Sequence, residues 1–300
     1  MSPHRSWAAL LVALLGVLAG CSADEPEGEQ PTATIRFASY DFSENEILAA
    51  VYAEAVRRAG LPVSLQSGVG TREVVQPALE QGVVDVVIDY LGTALQFADR
   101  GAGAGPGTPA DLHAALREAL RGRGVVVLDA AEAEDQNGFA VSTAFAARHG
   151  VTTLSDLVPL ARGLTFGGPP ECRQRPLCLP GLQAVYGLDF ADVRNMPSRS
   201  ATVEALLTGH VHVGLLETTD PRLSQASVVL LVDDRGLQPR ENVVPLVGAA
   251  VLDRWGAPLA DALNAASARL TTADLIRLNR AVESEGLTPE QAAARWWDAA

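Results

Sequence analysis

Apolar and polar residues follow a strand-like pattern most clearly between residues 83 and 89. This stretch is apolar except for Asp85, and Asp89 closes it. Such a composition predicts a strand buried on both faces, as in a parallel sheet covered by helices. Ligands of open α/β sheets bind beyond the carboxyl ends of the strands, so we predict that Tyr90 and Thr93 face a ligand. The alternative is a tyrosine packed in the core and a threonine that caps the next helix.

A second helix–glycine–strand unit repeats this arrangement. Tyr90 stands eight residues after Gly82, and Glu217 stands eight residues after Gly209. The two loops are therefore predicted to occupy corresponding positions in two α/β halves, with one cleft between them.

The beginning of the fold is predicted at residues 35–39, a short apolar strand. A helix follows, with Ser43 as its N-cap and Glu46 completing a capping box, and apolar residues then recur at helical spacing up to Gly60. Alternating apolar residues at 63 and 65 predict the next strand. Strand, helix and strand in this order favour a doubly wound α/β domain.

The first residues of the chain predict export. A basic start, an apolar stretch and the small residues before Cys21 resemble a bacterial lipobox, so residues 1–20 are predicted to be a lipoprotein signal peptide. Cys21 would then carry the lipid and hold the protein on the extracytoplasmic face of the cell membrane. The alternative is an ordinary signal peptide with an incidental cysteine. Residues 21–34 are polar and rich in Glu, Pro and Thr, which predicts a flexible tether.

Charge and cysteine content narrow the classes of function. The formal net charge of −13 argues against a nucleic-acid partner, which would require a basic face. Cys172 and Cys178 are six residues apart and, in an exported protein, are predicted to form a disulfide. A zinc site is disfavoured because two sulfurs without a nearby histidine make an incomplete ligand set.

Seven short motifs then follow one another through the chain, and together they carry a resemblance. They lie at residues 42–48, 71–79, 89–94, 167–171, 179–182, 218–220 and 241–245. In this order they resemble the glycine betaine/choline/carnitine-binding proteins of ATP-binding cassette (ABC) importers. The resemblance implies a type II periplasmic-binding-protein fold, in which two lobes, each a mostly parallel sheet flanked by helices, enclose a ligand cleft. It implies neither catalysis nor a cofactor.

The resemblance also implies a domain plan and partners. Residues 35–135 and 233–300 would form lobe one, and residues 136–232 would form lobe two. The expected partners are a small cationic solute and the permease of the importer, with the protein acting as a monomer.

Recognition of a quaternary ammonium group requires aromatic faces, each worth about 0.5–2 kcal/mol. Tyr90 is one predicted face, and Phe139 aligns with an aromatic residue of the family's cage. Tyr40 is a predicted third face. The side chains of Thr93 and Asn45 are predicted to bind the polar tail of the ligand.

Glu217 and Glu241 depart from the family pattern, because cage tyrosines are common at their positions. Two carboxylates in a partly dry cleft favour a cation and disfavour a ligand carboxylate, so a ligand such as choline, or an amine with N–H donors, fits at least as well as glycine betaine. Two alternatives remain: carboxylates that point to solvent at the rim, or an acid/base pair as in a glycosidase. No Gly-x-Ser-x-Gly or His-Glu-x-x-His motif supports an enzyme.

Overall fold

The protein is described by a computed structural model that covers residues 34–99 and 107–299. The predicted signal peptide, Cys21 and the tether up to residue 33 lie outside the described residues.

The described residues form two mixed sheets. The strands are β1 (Ile35–Tyr40), β2 (Val63–Gly70), β3 (Val86–Tyr90), β4 (Val125–Val127), β5 (Asn137–Ser142), β6 (Thr165–Gly168), β7 (Asp192–Asn195), β8 (Val213–Glu217), β9 (Val228–Leu230) and β10 (Val243–Gly248). The first sheet has the order β2-β1-β3-β10-β4, and the second has the order β7-β6-β8-β5-β9. The first belongs to lobe one and the second to lobe two.

The two sheets share one plan. In each, the fourth strand of the order, β10 or β5, runs antiparallel to both of its neighbours. The three strands on the other side of it are parallel. Strands β3 and β8 occupy the equivalent central position, and Tyr90 and Glu217 are their last residues. The correspondence predicted from the two glycines is therefore present in the fold.

Helices cover the sheets. Among the described residues they are α1 (Ser43–Arg58), α2 (Arg72–Glu80), α3 (Leu91–Ala98), α4 (Pro109–Ala119), α5 (Thr143–His149), α6 (Leu179–Gly181), α7 (Arg199–Leu207), α8 (Ala249–Arg269), α9 (Thr272–Glu283) and α10 (Pro289–Asp298). Helix α1 buries its apolar stripe, which includes Ile47, Val51 and Tyr52, in the core of lobe one. Each such side chain contributes roughly 1.5–3 kcal/mol through its burial.

The predicted capping box of α1 is wrong. Ser43 is already the first helical residue, and Phe42, with an extended backbone (φ −138°, ψ 148°), takes the N-cap position without a side-chain hydrogen bond. A hydroxyl caps a helix only from the residue before the first helical turn, so Ser43 is one residue too late. In the C-terminal part of the chain, threonines in this position do cap helices: Thr271 caps α9, and Thr288 caps α10, which has Pro289 as its first residue.

Residues 128–136 and 231–242 connect the two sheets, and the first of these segments also bonds to the loop that follows β8. The backbone N–H of Gln136 donates to the hydroxyl of Thr218 (2.9 Å), and the N–H of Thr218 donates to the carbonyl of Gln136 (2.9 Å). The buried carboxylate of Asp135 accepts from the Thr218 hydroxyl (3.0 Å) and the Thr219 N–H (3.1 Å). These bonds hold the connection between β4 and β5 against the loop that follows β8.

Candidate functional site

A cavity of about 1050 Å³ lies between the two lobes. The ends of β3 and β8 meet there, so Tyr90 from lobe one and Glu217 from lobe two line the same space. Tyr40, Thr93 and Glu241 line it as well. Five of the seven predicted ligand-binding residues are thus brought to one cleft.

Three aromatic rings form a row along the lobe-one wall. The centroids of Tyr40 and Phe42 are 6.2 Å apart with an angle of 18° between the rings, and those of Phe42 and Tyr90 are 6.3 Å apart with an angle of 25°. Phe42 lines the cavity but is not among the residues that the sequence predicts for the site. The sequence offers two signals for it, its position two residues after the end of β1 and its place at the start of the 42–48 motif.

The protein's own arginine already covers one of these rings. The guanidinium of Arg72 lies 4.9 Å from the centroid of the Tyr40 ring. The Tyr40 hydroxyl donates to Asp89, and Arg72 forms a salt bridge with the same carboxylate. A cation–π contact on this ring is therefore made within the protein. Among the described residues no such contact is made on Tyr90, the last residue of β3.

Thr93 and Glu241 form a pair in the wall of the cleft. The backbone N–H of Thr93 donates to Oε2 of Glu241 (3.0 Å), and the Thr93 hydroxyl donates to Oε1. Thr93 lies inside α3 rather than at its N-cap. Its hydroxyl proton is thus engaged by the protein, so Thr93 can accept a hydrogen bond from the polar tail of a ligand but can donate one only if Glu241 gives up this bond.

Glu241 is a buried carboxyl group with an unusual pKa. It is 2% exposed, and among the described residues no arginine forms a salt bridge with it. Burial raises its pKa to about 7, against the hydrogen bonds from Thr93 and the charge of Arg72, which lower it. Near neutral pH the protonated and ionised forms of this group are therefore close in free energy.

We expect protein stability to fall as pH rises from about 4.5 to about 7. In this window the folded state keeps a proton on Glu241 that the unfolded state has lost, so the free energy of unfolding decreases by an amount on the order of 3 kcal/mol. Burial also raises the pKa values of Glu44 and Asp135, which adds a loss of the same sign. Urea unfolding of wild type and Glu241→Gln across this range isolates the Glu241 contribution. Equal pH slopes for both proteins would contradict this prediction.

Glu217 is neutralised within lobe two. Its carboxylate accepts hydrogen bonds from the guanidinium of Arg199, at the start of α7, in a short ion pair. Arg199 lines the cavity and is missed by the sequence reasoning, which considers only the acidic residues of the cleft. Glu217 therefore does not present a free carboxylate to the ligand, contrary to the reasoning that places two such groups in the cleft.

The described lining residues that form no salt bridge include several acidic groups and no arginine. Among the described residues, each arginine that lines the cavity pairs with a carboxylate: Arg72 with Asp89, Arg123 with Glu80, Arg175 with Glu73 and Glu171, Arg199 with Glu217, and Arg222 with Asp220 and Glu283. Asp41, Asp135 and Glu241 also line it, and in the described part of the chain they form no salt bridge. The cleft thus favours a ligand without a net negative charge.

Two predicted site residues lie elsewhere. The Asn45 side chain is fully buried and joins two strands: its Oδ1 accepts from the N–H of Tyr40 (2.7 Å), and its Nδ2 donates to the carbonyl of Ile88 (2.8 Å). Phe139 is 1% exposed and packs in the core of lobe two, 6.2 Å from the ring of Phe166. Neither residue lines the cavity. The aromatic wall is consequently supplied by lobe one.

Cys172 and Cys178 form a disulfide that closes a loop at the cavity. Arg175, within this loop, donates to Glu73 of α2 at 3.4 Å. The loop therefore places a lobe-two cation against lobe one at the edge of the cleft.

Within the described residues no helix is long and apolar enough to span a membrane.

Comparison with known proteins identifies the family. A family model described as the substrate-binding domain of ABC-type glycine betaine transport systems matches residues 33–299. The chain belongs to this family. The glycine-betaine-binding protein of Pseudomonas aeruginosa is 28% identical over 275 residues, which cover 87% of this chain and 86% of the relative. The glycine betaine-binding protein YehZ of Escherichia coli is 24% identical over 300 residues, which cover 97% and 95%.

A solved structure supports the fold. The crystal structure of a glycine betaine/carnitine/choline ABC transporter protein superimposes with a TM-score of 0.70 and 21% identity, covering 88% of this chain and 98% of the other. The predicted two-lobed fold is confirmed. Membership of the family also confirms that the chain is the substrate-binding component of an ABC transport system and not an enzyme.

Proposed function

We propose that this substrate-binding protein captures a small organic cation of the quaternary ammonium class, with choline as the simplest example, and delivers it to the permease of its importer. The observation that carries the proposal is the charge balance of the cleft, in which the lining arginines of the described chain are paired and Glu241 is not. The Tyr90 ring beside this acidic wall supplies the face that a trimethylammonium group requires.

A zwitterion is the less favoured ligand. The relatives are named for glycine betaine, which carries a carboxylate as well as a quaternary ammonium group. In this cleft a ligand carboxylate would find its arginine partners already engaged and the carboxyl groups of Asp135 and Glu241 nearby. Like charges at low dielectric repel strongly, so choline is expected to bind more tightly than glycine betaine.

A second candidate is an amine that carries N–H groups, such as a polyamine. The uncompensated carboxyl of Glu241 favours it, because a charge-assisted hydrogen bond from an N–H donor is stronger than contact with a group that donates none. A quaternary ammonium group uses the aromatic face instead. The two candidates therefore differ in which wall residue they need.

Isothermal titration of choline, glycine betaine, carnitine and a polyamine into the purified protein tests the proposal. We expect saturable binding of choline, weaker binding of glycine betaine and carnitine, and no turnover of any of them. Each bound ligand should also raise the unfolding temperature. Tight binding of the polyamine alone would favour the second candidate, and no binding of any of the four compounds would contradict both.

We also propose that the protein is exported and anchored through a lipid on Cys21. The support is the sequence of residues 1–21 together with the family, whose members serve import systems. An anchor of this kind would keep the receptor close to its permease on the outer side of the membrane.

A further inference from the structure

A buried carboxyl group lies directly behind the predicted ligand face. Glu44, in the first turn of α1, is 5% exposed and is not among the residues that line the cavity. The hydroxyl of Tyr90 donates to its Oε1 at 2.6 Å. The ring of Tyr90 thus stands between the cleft and this carboxyl group.

The other contacts of Glu44 are also hydrogen-bond donors. Its Oε2 accepts from the hydroxyl of Thr219, in the loop after β8, and from Nδ2 of Asn279 in α9 (2.7 Å). Among the described residues no arginine forms a salt bridge with it. Three donors hold the carboxylate in place, but no cation neutralises it.

The charges around Glu44 are mostly acidic. The charge of Glu217 repels that of Glu44, and the charge of Glu44 repels that of Asp135. Arg199 already forms a salt bridge with Glu217. Burial, with the charges of Glu44 and Glu217 as further causes, raises the pKa of Asp135. A cationic ligand on the cleft side of Tyr90 would therefore supply a positive charge that is not already paired with another carboxylate and that can balance Glu44.

We propose that Glu44 sets the charge selectivity of the cleft: its carboxylate, hydrogen-bonded to the Tyr90 hydroxyl, favours a cationic head group on the Tyr90 ring over an uncharged group of the same shape. Two effects act in the same direction. A phenol that donates to a carboxylate gains electron density in its ring, which strengthens the attraction for a cation. The carboxylate also attracts the cation directly through a medium of low dielectric. Glu44 is thus a positioning and selectivity residue that does not touch the ligand, and its role rests on the proposed function.

Glu44→Gln tests this role because it removes the charge while keeping the shape. Asn279 can accommodate the new amide. Its Oδ1 has no hydrogen-bond partner among the described residues, and a flip of the side chain would turn this oxygen toward the amide N–H of the variant. Glu46→Gln is the matched control. It removes a carboxylate from the same helix, but Glu46 is partly exposed and does not line the cavity.

The probes are choline, its carbon isostere in which a tert-butyl group replaces trimethylammonium, and the zwitterion glycine betaine. We expect Glu44→Gln to weaken choline binding about tenfold, the order of effect for one charge acting over several ångströms at an effective dielectric near 20. Binding of the isostere should change by less than about twofold because it carries no charge, and Glu46→Gln should match wild type. Glycine betaine should lose less affinity than choline, because the effect on its carboxylate offsets part of the effect on its ammonium group.

Equal losses for choline and the isostere would show that Glu44 only supports the fold, and would overturn the inference alone. Unchanged choline binding in Glu44→Gln would overturn it as well. If wild type binds none of the cations, the proposed function fails and the inference falls with it. If the isostere is too weak to measure, the ratio of choline to glycine betaine affinity decides, and it must fall in Glu44→Gln but not in Glu46→Gln.

Discussion

Asp89→Asn is expected to lower the free energy of unfolding by about 3–5 kcal/mol, the cost of removing one partner of a buried ion pair. Asp89 is fully buried, and Arg72, 7% exposed, bonds to it at 2.5 Å. The same carboxylate accepts from the hydroxyl of Tyr40 and the N–H of Tyr90 (2.8 Å). An asparagine would leave the Arg72 charge uncompensated and place an amide N–H against groups that all donate.

Urea or thermal unfolding of Asp89→Asn measures this cost. Asp298→Asn is the matched control, because Asp298 also pairs with an arginine, Arg58, but its side chain is 68% exposed. Exposed ion pairs contribute little, so the control should unfold like wild type. If both variants unfold like wild type, the Arg72–Asp89 pair does not hold the aromatic wall in place.

Replacing Tyr90 with leucine is expected to weaken choline binding at least about tenfold, whereas phenylalanine should preserve it within a few-fold. Leucine keeps an apolar side chain at the end of β3 but has no π face. Phenylalanine keeps the face. Both variants remove the hydroxyl that donates to Glu44, so the difference between them isolates the ring.

Calorimetric titration of choline into the two variants measures this difference. Truncation to alanine is less informative, because Tyr90 is 5% exposed and the loss of its core contacts would cost roughly 3–5 kcal/mol of stability. Equal affinities of the leucine and phenylalanine variants for choline would mean that the Tyr90 ring does not hold the ligand.

The sequence predicts the parts of this protein that depend on local pattern. The apolar run before Tyr90 is β3, and Glu217 ends the equivalent strand β8, because a strand buried on both faces leaves a continuous apolar signature. The loops after such strands meet at one edge of each sheet. Tyr90 and Glu217 could therefore be assigned to one cleft without knowledge of the structure.

The parts that depend on distant partners could not be predicted. Arg72 and Asp89 are 17 residues apart, and Arg199 and Glu217 are 18 apart, so no helical or strand spacing links them. Their pairing changes the electrostatics of the cleft. Phe139 illustrates a second limit: the residues of β5 around it are buried on both faces, so alternation does not indicate which face meets the ligand.

The most direct test of the central claim is the position of choline in a crystal structure of the complex. The account predicts that its ammonium nitrogen lies between the lobes, within about 6 Å of the Tyr90 ring centroid, on the side facing Glu241. Choline ordered on another surface, or an empty cleft at saturating choline, would contradict it.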